Sequence, residues 1–392
     1  MNIADIALVN ILFGFLLKFL VEKNINNDAQ VSSKIILSPA RFYGYIPLYS
    51  ILAFTFVFCS TLYICNIEIV TAIALDTSVI TLISFLCLRY ITRALNARLI
   101  HDFIVRSCFL LIASFAVIAT LGIIAIVLIK SVQFFKLIPM HKFLMGYEWF
   151  PEDATEDSFG ILKLFQGTMY MVLLTMLFAV PLSVLSSARI YFFSRHPKII
   201  KSIFDTMSSV PSIVYGFIAI VIISPFVTDI AKFFEIDAES ENTISAVIAI
   251  TLMILPFLIS MSIEVFKNFP KTFIDASLGL GLSKQETVRT IVVPAVMPNL
   301  LAIYIIAITR IIGETMIVTM SLGMNAAFSA NPLKSVTTFT VQIVAAVTGD
   351  NDFASPVFLS AFAISIVLIC FTSILNYISI LIVRKFGHKY AL

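Results

Sequence analysis

Two charged side chains stand inside a long apolar stretch of the chain and could act on an ion there. Arg310 and Glu314 are four residues apart, a spacing that puts two side chains on one face of a helix. They follow Pro298 by about twelve residues, or roughly 18 Å of helix. If that helix crosses a membrane, both charges lie near its middle, where a charged side chain normally faces the protein interior or an aqueous path.

We interpret Arg310 and Glu314 as part of a gate or pathway lining. The planar guanidinium of Arg310 suits the oxygens of an oxyanion. Glu314 would hold Arg310 in place, and its neutralisation by Arg310 would keep the attraction weak enough for the ion to leave. The alternative is a structural Arg–Glu pair that only fixes how helices pack against one another.

A second polar stretch runs from Val210 to Gly216. Pro211 interrupts the backbone hydrogen bonds of a helix, Gly216 loosens it again, and serine hydroxyls can bond the freed carbonyl groups. The serines in question are Ser208, Ser209 and Ser212. The pattern predicts a kinked helix, which either borders a translocation path or is a structural kink in a packed helix.

A third stretch, residues 274–284, predicts a contact with another protein. Asp275, Ala276 and Ser277 form a small-residue segment that a second backbone can approach, and Gly281 permits a tight turn without a Cβ clash. We expect a short helix that docks into a groove on a partner; an ordinary loop is the alternative. The Gly-Lys-Ser/Thr ending of a phosphate-binding loop is missing after Gly281. We therefore predict no ATP-binding or other cofactor site in this chain.

The elements that must hold these residues follow from the composition. Of the 392 residues, 60% are apolar and 12% are charged, against roughly 45–50% and about 25% in an ordinary globular chain. Too little polar surface remains to cover a particle in water, so we expect the chain to lie in membrane lipid. A water-soluble enzyme, a nucleic-acid-binding domain and a disordered scaffold are excluded. The four histidines lie in separate connections without metal-ligand spacing, so no metal site is predicted.

Apolar runs of about 20 residues predict membrane-spanning helices, because barrel strands would alternate every second residue. The nine runs lie at about 4–21, 45–65, 67–88, 107–129, 164–188, 205–227, 243–265, 294–319 and 356–383. The predicted fold class is an all-α polytopic membrane protein. A basic linker near residue 100 divides it into 1–106, an extension of about three helices, and 107–392, a remainder of six helices.

Lys and Arg favour one set of connections between these runs. The set that begins with 22–44 and ends with the C-terminal tail holds 18 basic residues, whereas the opposite set holds five and three more lie within spans. Basic connections stay in the cytoplasm. We therefore predict a cytoplasmic C-terminus and, with nine spans, a periplasmic N-terminus.

The third stretch resembles the signature of ATP-binding-cassette (ABC) importer permeases, which is Glu-Ala-Ala, three residues, Gly, and a Leu-Pro about a dozen residues later. Asp275-Ala276-Ser277, Gly281 and Val293-Pro294 fill that frame, with Asp for Glu, Ser for the second Ala and Val for Leu. Three other stretches are similar to the phosphate importer of the Pst type, specifically to its PstC-type permease. These are Phe143–Pro151, Val210–Phe217 and Arg310–Met316. The resemblance covers about 107–383.

The resemblance implies a type I ABC importer permease core of six transmembrane helices, preceded here by about three extra N-terminal helices. It implies a non-catalytic, multi-pass subunit of the bacterial inner membrane that translocates inorganic phosphate. The implied partners are a second, PstA-type permease, two copies of a cytoplasmic ATPase that binds the ATP, and a periplasmic phosphate-binding protein. The implied pathway residues are Arg310, Glu314, Thr315, Ser212 and Tyr215, and the implied ATPase-coupling residues are Asp275, Ala276, Ser277 and Gly281.

Other functions remain open at this point. The substrate of such a permease could be another oxyanion, molybdate or sulfate. A self-sufficient secondary transporter would show internal repeats and paired broken helices, whereas the sequence shows one kinked helix without a clear counterpart. A membrane enzyme would need clustered His, Asp or nucleophilic side chains at a membrane face, and the sequence shows none.

Overall fold

The computed structural model describes residues 97–386, except 152–154, 156 and 324–328, together with scattered helical positions between 15 and 79. Backbone contacts divide the chain into two compact units, Met1–Gly122 and Ile123–Leu392. The three spans predicted between residues 4 and 88 lie almost entirely outside the described residues. The boundary at residue 106 stays a prediction.

The Met1–Gly122 unit contains a small polar cluster. The hydroxyl of Tyr49 lies 2.8 Å from Nδ1 of His101, and the centroid of the Tyr45 ring lies 4.6 Å from that of the same imidazole, with the two rings tilted by 33°. The ammonium of Lys18 lies 3.8 Å above the Tyr45 ring and 3.9 Å from the carboxylate of Glu22. These contacts tie two N-terminal helical segments to the beginning of the first long helix.

The continuously described chain is almost entirely helical. In chain order its helices are α1 (Ala97–Leu137), α2 (Met140–Met145), α3 (Leu162–Phe193), α4 (Pro197–Met207), α5 (Ser212–Phe233), α6 (Thr243–Lys267), α7 (Lys271–Gly279), α8 (Lys284–Ile312), α9 (Met316–Leu322), α10 (Phe339–Thr348) and α11 (Pro356–Phe386). π-helical turns interrupt α5 at Ala219–Ile223 and α8 at Thr287–Val292. The one β-bridge in this part of the chain joins Trp149 and Phe159.

Six of these helices, α1, α3, α5, α6, α8 and α11, are long and apolar enough to cross a membrane. The predicted core of six spans is thereby confirmed. Two predicted spans have the wrong bounds, however. The run 205–227 is split at Pro211 between α4 and α5, and the run 294–319 belongs to a helix that begins at Lys284 and ends at Ile312.

α6 lies at the centre of the Ile123–Leu392 unit. Within its most apolar 18 residues, 67% are buried, the largest share among the six described spans. α3 packs along α6, and its buried stripe consists of small residues four apart, which lets neighbouring helices approach closely. The stripe is Thr175, Ala179, Ser183 and Ser187. α8 packs against α6 on one side and α11 on the other.

Side chains fix where several helices begin. Asn242 accepts a hydrogen bond from the N–H of Ser245 at the start of α6 (2.9 Å), and Thr338 accepts one from Val341 at the start of α10. Ser283 and Glu286 form a reciprocal capping box at the start of α8. Each cap satisfies backbone donors that a helix leaves free at its first turn.

Residues 139–151 and 157–161 form a compact segment between α1 and α3, which we call the cap segment. Backbone hydrogen bonds join Phe150 to Ser158 (2.9 Å) and Gly160 to Glu148 (2.8 Å). Its side chains form an apolar cluster with residues at the end of α1 and in α3, α10 and α11. The cluster consists of Phe134, Ile138, Phe143, Trp149, Phe159, Ile161, Leu164, Phe339, Leu359, Ala363 and Ile364. The cap segment is therefore a packed part of the structure.

Candidate functional site

The helix that carries Arg310 ends before Glu314. α8 closes at Ile312, the N–H of Glu314 donates to the carbonyl of Ile311 (3.0 Å), and α9 begins at Met316. The carboxylate of Glu314 accepts the backbone N–H of Ile317 (3.4 Å), as side chains do at a helix N-terminus. The prediction that the two charges share one helical face is therefore wrong, because Glu314 belongs to the start of a new helix.

Arg310 is exposed, and its guanidinium lies over the ring of Phe257 in α6, 5.3 Å from the centroid. Among the ion pairs of the described residues none joins Arg310 to Glu314, so the expected mutual neutralisation is also wrong. Phe257 precedes the end of α6 at Lys267 by roughly 15 Å of helix. Arg310 is therefore level with the interior of a spanning helix.

A second break lies between α4 and α5, where Pro211 predicts an interruption, and this prediction is confirmed. The hydroxyls of Ser208 and Ser209 bond the carbonyls of Asp205 and Thr206, both at 2.7 Å. α5 then begins at Ser212. The hydroxyl of Tyr215 reaches back across the break to the carbonyl of Met207, at a long 3.5 Å.

The two breaks adjoin one another through α5 and α9. A Cβ atom on Gly216 would lie 2.9 Å from the Sδ of Met320 and 3.3 Å from the Cα of Ile317, so the helices touch where Gly216 has no side chain. Ser212 and Tyr215 stand on the α5 side of this contact. Glu314 and Thr315 precede α9 on the other side, with the Thr315 hydroxyl bonded to the carbonyl of Gly313 (3.3 Å). The kinked helix thus has a broken counterpart, which the sequence analysis did not find.

α10 holds the α8–α9 break from one side. The hydroxyl of Thr340 donates to the carbonyl of Glu314 (2.9 Å). This carbonyl follows the last turn of α8, so no backbone N–H of that helix donates to it. α10 lies between the predicted spans 294–319 and 356–383, where no span was predicted, because ten residues are too short to span a membrane.

The predicted coupling stretch has the expected form, a short helix followed by a glycine turn. α7 ends at Gly279, and Gly281 has a φ of +89°, in the left-handed region. Ser277 is buried, and its hydroxyl bonds the carbonyl of Ile274 (2.7 Å) and the hydroxyl of Thr287 (3.0 Å). Asp275 and Ala276 are exposed. Exposed apolar side chains flank them: Phe273, Leu278 and Leu280.

α4 is joined to α6 by charged side chains. The ammonium of Lys201 lies 2.8 Å from Asp205 and 3.3 Å from Glu264, and the hydroxyl of Ser260 donates to Asp205. The hydrogen bonds from Lys201 and then Ser260 lower the pKa of the Asp205 carboxyl, and the bond to Asp205 raises the pKa of Lys201.

The opposite face of α4 is apolar and exposed, with a cavity of about 560 Å³ lined by Ile199, Ile203, Met207 and Val210 among others.

The coupling stretch and the two breaks are separate sites. The structure brings Ser212, Tyr215, Glu314 and Thr315 to adjoining elements, and Arg310 to the last turn of α8. It adds two residues that sequence reasoning did not single out, Phe257 and Thr340, because they act through partners that are 53 and 26 positions away. Gly216, which the sequence placed in the predicted kinked stretch, is also the contact point between α5 and α9.

Comparison with known proteins identifies the family. Residues 179–390 match the model of the "Binding-protein-dependent transport system inner membrane component" family. The chain is 25% identical over 252 residues, 63% of its length and 78% of the other protein, to the "Probable ABC transporter permease protein YqgH" of Bacillus subtilis (strain 168). It is 27% identical over 232 residues, 54% of its length and 68% of the other protein, to the "Phosphate transport system permease protein PstC" of Xylella fastidiosa (strain Temecula1 / ATCC 700964).

A solved structure, "Inward facing conformations of the MetNI methionine ABC transporter: CY5 native crystal form", aligns with 57% of this chain and 96% of its own at 18% identity and a TM-score of 0.41. The resemblance to PstC-type permeases is confirmed by the family model and the sequence relatives. The chain belongs to the family of binding-protein-dependent transport system inner membrane components, as an all-α, multi-pass permease of an ABC importer with a core of six spanning helices.

Proposed function

We propose that this permease translocates inorganic phosphate, and that the ion passes the contact between α5 and α9. The observation that carries the proposal is Arg310, an exposed guanidinium within the depth of the spans that rests on an aromatic ring and not on a carboxylate. A cation in such a position normally faces an aqueous path. Its planar fork matches the oxygens of a phosphate.

The position of Glu314 supports an anion as the substrate. A carboxylate beside Arg310 would cancel its attraction for an anion. Here the Glu314 carboxylate turns to the N–H of Ile317, where the first turn of a helix stabilises negative charge. Arg310 therefore keeps its charge for a passing oxyanion, and Phe257 holds the guanidinium without neutralising it.

The proposed assembly contains a PstA-type permease, two copies of an ATPase subunit and a phosphate-binding protein. α7 and the turn at Gly281 would dock into the ATPase through Phe273, Leu278 and Leu280. In this orientation the C-terminal ends of α3, α6 and α11 lie in the cytoplasm, as the distribution of basic residues favours. Arg195 follows α3, Lys267 ends α6, and Lys385 lies in the last turn of α11. ATP is bound and hydrolysed by the partner, which moves α7 and, through Ser277 and Thr287, the beginning of α8.

The test is uptake by the reconstituted importer. Liposomes that contain the complex, with ATP inside and binding protein outside, are given labelled phosphate, sulfate or molybdate. We expect ATP-dependent uptake of phosphate alone. Arg310→Ala should lower it by about tenfold or more, with partial recovery in Arg310→Lys, since one lost charge-assisted contact costs about 1.5–3 kcal/mol.

Arg384→Ala, which removes an arginine near the end of α11, is the matched control and should transport normally. Uptake of sulfate or molybdate in place of phosphate would overturn the proposal that phosphate is the substrate. Unchanged phosphate uptake in Arg310→Ala would overturn the role of Arg310 in the pathway.

A further inference from the structure

The first turn of α10 sends side chains in two directions. Gln342 and Thr340 are both buried, only two residues apart, and belong to a helix whose start is capped by Thr338. One of them contacts the cap segment and the other contacts the α8–α9 break. Two distant parts of the unit are thereby joined through three consecutive residues of one helix.

Gln342 holds the cap segment. Its Oε1 accepts the indole N–H of Trp149 (2.8 Å) and its Nε2 donates to the hydroxyl of Thr337 (2.8 Å); all three side chains are buried. Trp149 is the only tryptophan of the chain and also packs edge-on against Phe159, its partner in the β-bridge. Because a buried indole N–H without an acceptor is unfavourable, the cap segment cannot shift past α10 without breaking this bond.

Thr340 holds the break. Its hydroxyl donates to the backbone carbonyl of Glu314 (2.9 Å) and lies 3.2 Å from the hydroxyl of Thr338. The bond is made to the main chain. It therefore constrains the position of Glu314 and of the start of α9, independently of the conformation of the Glu314 side chain. A helical backbone between residues 340 and 342 is short and stiff, so a displacement at one side chain reaches the other.

The same turn is anchored to α3. The N–H of Phe339 donates to the hydroxyl of Thr168 (3.2 Å). Gly167 lies directly against the carbonyl of Thr337, with no room for a Cβ atom. α10 is therefore fixed against α3 and also packs along α11, in addition to the two parts of the unit that it connects.

We propose that Gln342 and Thr340 are positioning residues that couple the cap segment to the α8–α9 break, so that a protein docked on the cap segment changes the geometry at Glu314. This inference rests on the proposed function in one respect, that the α8–α9 break borders the path of the ion. The docked protein is the substrate-binding protein on which a binding-protein-dependent importer relies. Exposed apolar side chains on the cap segment, Met145, Tyr147 and Phe150, offer it a surface.

The test uses the full complex in liposomes, with a single reporter cysteine. The five native cysteines are replaced by serine, and Met316→Cys, an exposed position at the start of α9, is labelled with a hydrophilic maleimide. The labelling rate and the rate of ATP hydrolysis are each measured with and without saturating binding protein. The variants are Thr340→Val, which keeps the shape and removes the hydroxyl, and Gln342→Met.

In the unmodified background we expect the binding protein to change both rates. In Thr340→Val and Gln342→Met we expect that change, taken relative to each variant's own rate without binding protein, to shrink by about fivefold or more, the lower range of typical coupling between sites. Thr340→Ser should restore the response. Thr348→Val is the matched control, because the Thr348 hydroxyl bonds only a carbonyl of its own helix, that of Val344 (2.8 Å).

A full response in both Thr340→Val and Gln342→Met would overturn the coupling. A complex that folds and hydrolyses ATP but takes up no phosphate would overturn the proposed substrate and leave the coupling testable, because the labelling experiment needs no phosphate. An equal loss of response in Thr348→Val would show general damage to α10 and would also overturn the specific roles of Thr340 and Gln342.

Discussion

The guanidinium of Arg310 lies over the ring of Phe257, 5.3 Å from its centroid, and the two residues belong to different spanning helices, α8 and α6. The ring face attracts the cation without a formal negative charge. A carboxylate in that place would form a tight pair and lower the attraction for an incoming anion. An aromatic ring holds the guanidinium in position and leaves its charge available.

Replacing Phe257 should therefore affect transport through Arg310. Loss of the ring in Phe257→Leu removes about 0.5–2 kcal/mol of cation–π attraction, and we expect phosphate uptake at low phosphate to fall about two- to thirtyfold. Phe257→Tyr keeps an aromatic face and should transport normally. Equal uptake in Phe257→Leu and the unmodified protein would show that the ring does not position Arg310.

A methyl group at Gly167 should destabilise the protein. The Cβ of Gly167→Ala would overlap the carbonyl oxygen of Thr337, which belongs to main chain and cannot rotate away. Overpacked sites typically cost about 1–3 kcal/mol, so the thermal unfolding midpoint in detergent should fall by several degrees. Gly122→Ala, in a helix with nothing within 4 Å of the added atom, is the control and should unfold at or above the original midpoint.

The two glycines of the coupling stretch should differ in their tolerance to alanine. Neither Gly279 nor Gly281 has an atom within 4 Å of an added Cβ, but only Gly281 has a positive φ. Gly281→Ala should cost about 1–2 kcal/mol of backbone strain and reduce both ATPase co-purification and uptake. Gly279→Ala should leave both unchanged. If the two variants behave alike, the left-handed turn is not what presents α7.

Acid should weaken the attachment of α4 to α6. Because hydrogen bonds lower the pKa of Asp205 in the folded state, the stabilisation from this carboxylate is present above its ordinary pKa of about 4 and lost below it. The raised pKa of Lys201 keeps that side chain charged up to at least about pH 10. We expect the difference in thermal midpoint between the unmodified protein and Asp205→Asn to be constant from about pH 5 to 9 and to shrink below about pH 4.

Thermal unfolding in detergent over this pH range measures that difference. Asp229→Asn serves as the control, because its carboxylate pairs only with Lys232 at an exposed surface (3.6 Å) and should contribute little at any pH. A difference that grows on acidification would contradict the role of Asp205.

The sequence alone was sufficient to predict those features of the fold that depend on nearby residues. Apolar runs located the six spans of the core, Pro211 located the break between α4 and α5, and Gly281 located the turn after α7, because each depends on the residue itself or its near neighbours. The depth of Arg310 within the spans could also be approximated from helix length. Family resemblance came from the stretches around Pro211 and Gly281 and from Phe143–Pro151 and Arg310–Met316.

The break between α8 and α9 could not be predicted because contacts that hold it are not local. No proline lies between Pro298 and Gly313, and the apolar run continues through Met316 and Ile317. The backbone after the end of α8 is held by a hydrogen bond from Thr340, 26 positions after Glu314. Similarly, the ring beneath Arg310 comes from α6, and the role of Trp149 in the cap segment depends on Gln342, 193 positions later.

The salt bridge between Lys201 and Asp205 has a consequence for how the protein is made. These residues are one helical turn apart and meet at 2.8 Å, whereas Glu264 and Ser260 leave the ribosome more than fifty residues later. α4 can therefore pair Lys201 with Asp205 as soon as it is synthesised, and its apolar side can settle at the bilayer before α6 exists. The later arrival of Glu264 only locks a helix that was already compatible with the membrane surface.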